Sequence, residues 1–147
     1  MHTEITRLSK RLRRVFEKQA IRTELPHLCH FPKNSCQLAS LYLGVLINRQ
    51  FPRVYIELIH GRHRLKEENH YWLEVNGFSY DITADQFDDI NEPIYAGLSN
   101  PLSTYFSPYH STEVMQAFSD YQQVEGERSL SILAQIEVLL NQASPPS

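Results

Sequence analysis

Three residues in this sequence have the side-chain types needed for nucleophilic catalysis. Cys36 supplies a thiol, His70 an imidazole and Asp81 a carboxylate, in that order along the chain. A thiolate attacks carbonyl carbon, a histidine takes up and returns the proton, and a carboxylate holds the imidazole in one tautomer. The trio therefore predicts cysteine-dependent acyl chemistry, provided that the fold brings the three side chains together.

The residues around Cys36 predict the beginning of a buried helix. Asn34 or Ser35 can cap the first turn, and Gln37 follows Asn34 at the spacing of a capping box. From Cys36 to about Asn48 the apolar residues cover nearly every side of the predicted helix. A helix N-terminus favours a thiolate through its dipole and its free N–H groups. The alternative is a small apolar residue that only begins a core helix.

A hairpin is predicted to carry the other two residues. Its strands, residues 70–75 and 78–83, flank an Asn-Gly dipeptide, the sequence that most strongly favours a two-residue turn. Alternation along the strands then places the following residues on one face: His70, Trp72, Glu74, Ser79, Asp81 and Thr83. In this register the following residues pair across the two strands: Val75 with Phe78, Leu73 with Tyr80, Trp72 with Asp81, and His70 with Thr83. His70 and Asp81 become diagonal neighbours, about 7–8 Å apart by backbone. The alternative is an ordinary polar pair on a half-exposed sheet.

The other patterns predict one α+β domain over residues 1–147. Further elements are expected as helices at 3–22, 113–121 and 128–141 and strands at 54–59 and 93–96. The rest of 84–112 is expected to be loop, and the tail 143–147 is expected to fray. The motifs for catalysis all fall between residues 31 and 87.

Composition is that of an ordinary globular protein, with 41% hydrophobic and 21% charged residues. No apolar run is long enough for a membrane span, and the N-terminus resembles no secretory signal. Two cysteines in a chain of this size favour reduced thiols in a cytoplasm, although an exported effector would have the same composition. The oligomeric state is not predicted.

The first 22 residues form a basic, amphipathic helix in this prediction. They hold seven Lys or Arg and two Glu, a net charge of +5, so the rest of the chain carries −8 to give the total of −3. An apolar stripe follows helical spacing through Ile5, Leu8, Leu12, Val15 and Phe16. The stripe favours docking on the chain's own acidic domain and disfavours nucleic-acid binding, which remains the alternative together with a protein partner.

No metal site or cofactor is predicted. His27, Cys29, His30 and Cys36 are spaced like no familiar zinc site. The run His60-Gly61-Arg62-His63 is interpreted as a solvated turn at the end of a strand.

The motifs resemble those of the transglutaminase-like branch of the papain-like cysteine enzymes, particularly bacterial members without an assigned function. The resemblance covers about residues 31–87 and rests on Asn34-Ser35-Cys36, His70-Tyr71-Trp72-Leu73-Glu74-Val75 and Asp81-Ile82-Thr83-Ala84-Asp85-Gln86-Phe87. It implies a helix bearing the cysteine, packed on a small antiparallel sheet that bears the other two residues. Gln37 stands where many relatives carry glycine.

The resemblance implies Cys36 as nucleophile, His70 as general base and acid, and Asp81 as the residue that orients His70. The expected reaction is hydrolysis, deamidation or transamidation of an amide bond in a peptide or protein, without a cofactor. The Cys36 backbone N–H would be one oxyanion donor. Four residues are candidates for the oxyanion hole or the cleft: Asn34, Gln37, Trp72 and Glu74. The alternative is an inactive module of this fold that binds a partner.

Overall fold

In the computed structural model, which describes residues 1–18 and 36–142, the chain is an α+β structure with four helices and five strands in these ranges. The helices are α1 (His2–Glu17), α2 (Cys36–Gln50), α3 (Val114–Glu125) and α4 (Glu127–Gln142). The strands are β1 (Ile56–His63), β2 (Asn69–Val75), β3 (Phe78–Asp81), β4 (Ile94–Gly97) and β5 (Phe106–Glu113). Short 3₁₀ turns lie at Ala84–Gln86 and Pro101–Thr104.

The five strands form one antiparallel sheet in the order β4-β3-β2-β1-β5. The predicted hairpin is present: Val75 pairs with Phe78 and Leu73 with Tyr80. Its turn residues, Asn76 and Gly77, both have positive φ, as the predicted type of turn requires.

The end of β3 differs from the prediction. This strand ends at Asp81 instead of residue 83, because Thr83 caps the 3₁₀ turn that follows. The ladder between β2 and β3 accordingly stops at the pair Leu73 and Tyr80, and Asp81 pairs with Ile94 of β4.

Helix α2 is buried from Leu38 to Ile47, so every side of it contacts other parts of the protein. It packs on the sheet face that carries Leu58, Leu73 and Val75, and the other three helices contribute to the same core. The prediction of a buried helix that begins at Cys36 and packs on an antiparallel sheet is therefore confirmed. Hydrophobic burial on all sides of α2 fixes the position of its first turn against the sheet.

A smaller apolar cluster covers the opposite face of the sheet. Its buried members are Ile59, Trp72, Ala84, Leu102 and Phe106. They come from β1, β2, β5 and the two 3₁₀ turns. This second cluster lies on the same face of the sheet as His70.

Two strand predictions were wrong. Strand β1 continues to His63, so His60-Gly61-Arg62-His63 is part of the ladder and not a turn. Segment 106–112, predicted as loop, belongs to strand β5, which also includes residue 113, predicted as the first residue of a helix. Its side chains are mostly exposed, so the sequence lacks the apolar alternation that marks a strand, and its pairing with β1 defines it.

Helix α1 docks on the domain through the predicted apolar stripe, with Ile5, Leu12, Val15 and Phe16 buried. Its basic side chains also bind the protein itself, since Arg11 donates a hydrogen bond to the Leu140 carbonyl. The predicted continuation to residue 22 and the tail 143–147 lie outside the described residues. None of the helices within 1–18 and 36–142 combines the length and apolar character needed to cross a lipid bilayer.

Candidate active site

His70 and Asp81 form a hydrogen-bonded pair in the interior. His70 Nε2–H donates to Asp81 Oδ2 over 2.6 Å, and neither side chain has any exposed surface. Because an ionised carboxylate only accepts hydrogen bonds, the proton on Nε2 is fixed there and Nδ1 is left to face the other side of the ring. The predicted neighbours are therefore in direct contact.

Asp81 receives three further hydrogen bonds. Asn100 Nδ2 donates to Oδ2 over 2.9 Å, while the Thr83 backbone N–H and hydroxyl donate to Oδ1 over 3.2 and 3.4 Å. Asn100 is itself held, because its Oδ1 accepts from the Leu102 N–H over 2.9 Å. These donors compensate the cost of placing a carboxylate in the interior and fix its orientation toward His70.

Cys36 lies at the first residue of α2, with its side chain partly exposed. Its thiol lies near enough to the His70 imidazole to help raise the pKa of that ring. Asp81 occupies Nε2, so Nδ1 is the ring nitrogen left for the thiol. The first turn of α2 is fixed on β2 where Ser40 Oγ donates to the Tyr71 carbonyl over 3.3 Å. The fold thus brings all three members of the predicted trio together.

The pKa of His70 is raised to about 9. Burial by itself lowers this pKa, but the charge and the hydrogen bond of Asp81, followed by those of Cys36, outweigh burial. His70 is consequently protonated at neutral pH, as an imidazolium near the Cys36 sulfur. The pKa of Tyr71 is also raised, first by burial and then by the charge of Cys36, which places this phenol near the sulfur.

Three aromatic side chains surround the His70 ring. Trp72 stacks on it with ring centres 5.8 Å apart, Phe87 meets it edge-on at 5.0 Å, and Phe106 lies at 5.7 Å. Trp72 is buried, and its Nε1–H has no hydrogen-bond partner among the described residues. The aromatic rings keep water from the ring faces of His70, which strengthens its interactions with Asp81 and Cys36.

The predicted accessory residues have different positions. Gln37 is exposed beside Cys36, and Trp72 packs on His70 without opening onto a cleft. Glu74 lies four residues along β2 from His70, about 13 Å at the rise of a strand, so it does not belong to this centre. Asn34 lies outside the described residues. The same holds for His27, Cys29 and His30, whose spacing matches no familiar zinc site. In the part of the chain that the structure describes, no group of side chains could hold a metal ion.

Two clefts are lined by residues adjacent in sequence to Cys36 and His70. One, of about 580 Å³, is lined by Gln37 and Tyr71 and extends between β1, β5 and α3. The other, of about 660 Å³, is lined by Asn69 and Gln86 beside His70.

Sequence reasoning missed Asn100 and the role of Gln86. Asn100 contacts Asp81 from a segment 19 residues away, and Gln86 Nε2 lies 3.3 Å from His70 Nδ1. An Asn before Pro101 signals a capped turn, which Asn100 forms, but nothing in the local pattern indicates that its amide reaches Asp81. Gln86 was included in the family resemblance only as part of a longer motif.

Comparisons of the chain with protein-family models, with curated proteins and with solved structures gave no match.

Proposed function

We propose that this protein is a cysteine-dependent enzyme that hydrolyses or transfers the acyl group of an amide bond in a peptide or protein. Cys36 is the nucleophile, His70 the general acid and base, and Asp81 the residue that orients His70. The observation that carries the proposal is the buried 2.6 Å hydrogen bond between His70 Nε2 and Asp81, which leaves the other ring nitrogen for proton transfer with the nearby Cys36 thiol.

The chemistry follows from this arrangement. The Cys36 sulfur attacks the carbonyl carbon, and the Cys36 backbone N–H at the start of α2 donates to the developing oxyanion. The His70 imidazolium then protonates the leaving amine, and the C–N bond breaks to leave a thioester. Water or an amine next attacks the thioester while His70 Nδ1 takes its proton. The C–S bond breaks and the thiolate returns beside the imidazolium.

A purely structural role accounts for less of the geometry. Burying an imidazole and a carboxylate costs free energy, and apolar residues of similar size are often as stabilising as a buried ion pair. The pair here is supported by Asn100 and Thr83 on one side and meets a partly exposed thiol on the other. A structural polar pair needs no nucleophile at the head of a helix.

The clefts favour an extended substrate. One includes Gln37, which follows Cys36, and the other includes Asn69 and Gln86 beside His70, so a peptide bound at the nucleophile can contact both. The cysteine helix packed on an antiparallel sheet is also the arrangement implied by the resemblance to the transglutaminase-like branch. Both points support a papain-like fold and a peptide or protein substrate within this proposal.

The reaction type is tested with a library of glutamine-containing peptides, incubated with the full chain in the presence and absence of a small primary amine. Mass spectrometry distinguishes cleaved peptides, deamidated glutamine and amine adducts. We expect one of these products with the wild-type protein and none with Cys36→Ser. Products that form equally with Cys36→Ser contradict the proposal, as does a wild-type protein that forms no product and whose Cys36 reacts only like a free thiol.

A further inference from the structure

We propose that Gln86 is a positioning residue that holds His70 in its neutral, base-competent form after Cys36 has been acylated. The inference deepens the proposed function and rests on it for the catalytic consequence. The hydrogen-bond geometry that supports it does not depend on turnover.

Gln86, Thr83, Asp81 and His70 form a closed ring of hydrogen bonds. Gln86 Nε2 lies 3.3 Å from His70 Nδ1 and 3.4 Å from Thr83 Oγ1. Thr83 Oγ1 in turn lies 3.4 Å from Asp81 Oδ1, and Asp81 Oδ2 accepts from His70 Nε2. Each of the four side chains therefore contacts the next.

The direction of each hydrogen bond in this ring follows from the chemistry of Asp81. A carboxylate only accepts, so the Thr83 hydroxyl uses its single proton toward Asp81. Thr83 Oγ1 is then left as an acceptor, which directs the NH₂ end of the Gln86 amide toward it. The second N–H of that NH₂ group points at His70 Nδ1, where it meets a lone pair when the imidazole is neutral.

His70 consequently has two neighbours with opposite preferences. Cys36 favours a protonated imidazole, since its charge and hydrogen bonding raise the pKa of His70, whereas the Gln86 amide favours an unprotonated Nδ1, since it donates a hydrogen bond there. Before acylation the effect of Cys36 acts on the ring together with that of Asp81. Once the sulfur carries an acyl group its charge is lost, and Gln86 then stabilises the neutral imidazole that must accept a proton from water.

The turn that carries Gln86 is itself fixed. Its backbone N–H donates to the Thr83 carbonyl over 3.0 Å. Asp85, the preceding residue, forms a two-point ion pair with Arg13 of α1, at 2.7 and 2.6 Å. Arg13 also donates to the Ile82 carbonyl over 2.5 Å. Helix α1 therefore holds the Gln86 amide in place beside His70.

The first test measures the titration of the His70 ring by ¹⁵N NMR in full-length protein carrying Cys36→Ala. This background removes the Cys36 sulfur, so that Asp81 is the charged neighbour of the ring that remains among the described residues. Gln86→Ala should raise the titration midpoint by about half a unit to one unit, the equivalent of one lost hydrogen bond to the neutral form. Gln86→Glu should raise it further, because a carboxylate favours a protonated Nδ1.

The control is Gln123→Ala, which removes an exposed glutamine on α3 and should leave the midpoint unchanged. Midpoints in both Gln86 variants that equal that of the control overturn the inference. Circular dichroism and thermal unfolding of each variant establish that the fold is retained. If Gln86→Ala does not fold, Gln86→Glu, which keeps the size of the side chain, decides the question.

The second test uses p-nitrophenyl acetate as an acyl donor for the protein with Cys36 intact. The sulfur bonds to the carbonyl carbon and p-nitrophenolate leaves with the electron pair of the C–O bond. Water then adds as His70 Nδ1 takes its proton, and the C–S bond breaks to release acetate. Gln86→Glu should keep the first burst of p-nitrophenolate at neutral pH and slow the later turnover about tenfold, as a shift of one unit implies.

The two tests separate the two claims. A His70 midpoint that responds to Gln86, together with no burst dependent on Cys36, supports the positioning role and contradicts the proposed enzyme. A burst and turnover that fall equally in Gln86→Glu, with an unshifted midpoint, contradict the positioning role and leave the proposed enzyme intact.

Discussion

Arg13 and Asp85 connect the N-terminal helix to the turn beside the candidate active site. Both guanidinium NH₂ groups of Arg13 contact the carboxylate of Asp85, at 2.7 and 2.6 Å, and both side chains are mostly buried. Burial lowers the pKa of Arg13, but the hydrogen bond and charge of Asp85 outweigh burial and raise it, so the pair stays ionised. A basic helix that suggests a nucleic-acid surface by composition thus uses two of its arginines, Arg11 and Arg13, for contacts within the protein.

Arg13→Ala is expected to destabilise the protein by about 1–3 kcal/mol, because it leaves Asp85 and the Ile82 carbonyl without their charged donor. Arg14→Ala is the matched control, since Arg14 has the same charge on the same helix and is exposed. It should change the free energy of unfolding by less than about 0.5 kcal/mol. Urea denaturation measures both values, and equal effects of the two variants would refute the structural role of the pair.

Asp81 Oδ2 accepts hydrogen bonds from both His70 and Asn100, and Asn100→Ala removes the second of these donors. We expect a loss of about 1–3 kcal/mol in unfolding free energy, because part of a buried carboxylate is left without a partner. The alkylation rate of Cys36 should fall as well, since Asp81 then holds His70 less firmly. Asn91→Ala, at an exposed asparagine in the loop between the 3₁₀ turn and β4, should alter neither quantity. An Asn100→Ala protein as stable and as reactive as this control would show that the contact has no energetic role.

Trp72 is the single tryptophan of the chain and stacks on His70, so its fluorescence reports the charge of the imidazole. A protonated imidazole quenches indole emission. The emission should therefore be low at neutral pH and rise as His70 loses its proton, with a midpoint near the raised pKa of about 9. Asp81→Asn should move the midpoint down, because the charge that raises this pKa is removed. His70→Gln should abolish the transition, and a transition that persists in this variant would mean that another group causes it.

Gly61 lies against Trp72 across the sheet. A Cβ atom at Gly61 would lie 2.6 Å from Trp72 Cζ3 and 3.0 Å from Phe106 Cβ, so Gly61→Ala must displace the indole. We expect a destabilisation of about 1–3 kcal/mol and an altered emission spectrum of Trp72. Gly77→Ala is the comparison, because its Cβ meets nothing within 4 Å and its cost arises only from the positive φ of the turn. That variant should be less stable without a change in the emission spectrum, and an identical spectral change in both would argue against local displacement.

The parts of the fold that the sequence predicts are those with local signals. The Asn76-Gly77 turn sets the register of the hairpin, and the apolar run after Cys36 marks the central helix. Strand β5 has no such signal, because exposed polar residues and Pro108 interrupt any alternation, and only its partner β1 makes it a strand.

The residues of the candidate site also divide into those with a recognisable sequence signal and those without one. Cys36, His70 and Asp81 are recognisable because their types, order and spacing correspond to one chemistry. Asn100 and Gln86 are ordinary polar residues in loop-like sequence, and their contacts arise from tertiary packing that brings two turns onto the buried pair. The predicted alternation places Glu74 on the same face as His70. The two residues are, however, four positions apart along β2.

The central claim is that His70, oriented by Asp81, activates Cys36, and the most direct test is the rate at which iodoacetamide alkylates Cys36 between mildly acidic and neutral pH. Mass spectrometry of the intact and digested protein assigns the modified cysteine and separates it from Cys29. The account predicts that Cys36 in the wild-type protein reacts at least about tenfold faster than a free thiol at neutral pH, and that His70→Ala removes this excess while the fold is retained. A wild-type Cys36 that reacts no faster than a free thiol, or at the same rate with and without His70, would contradict it.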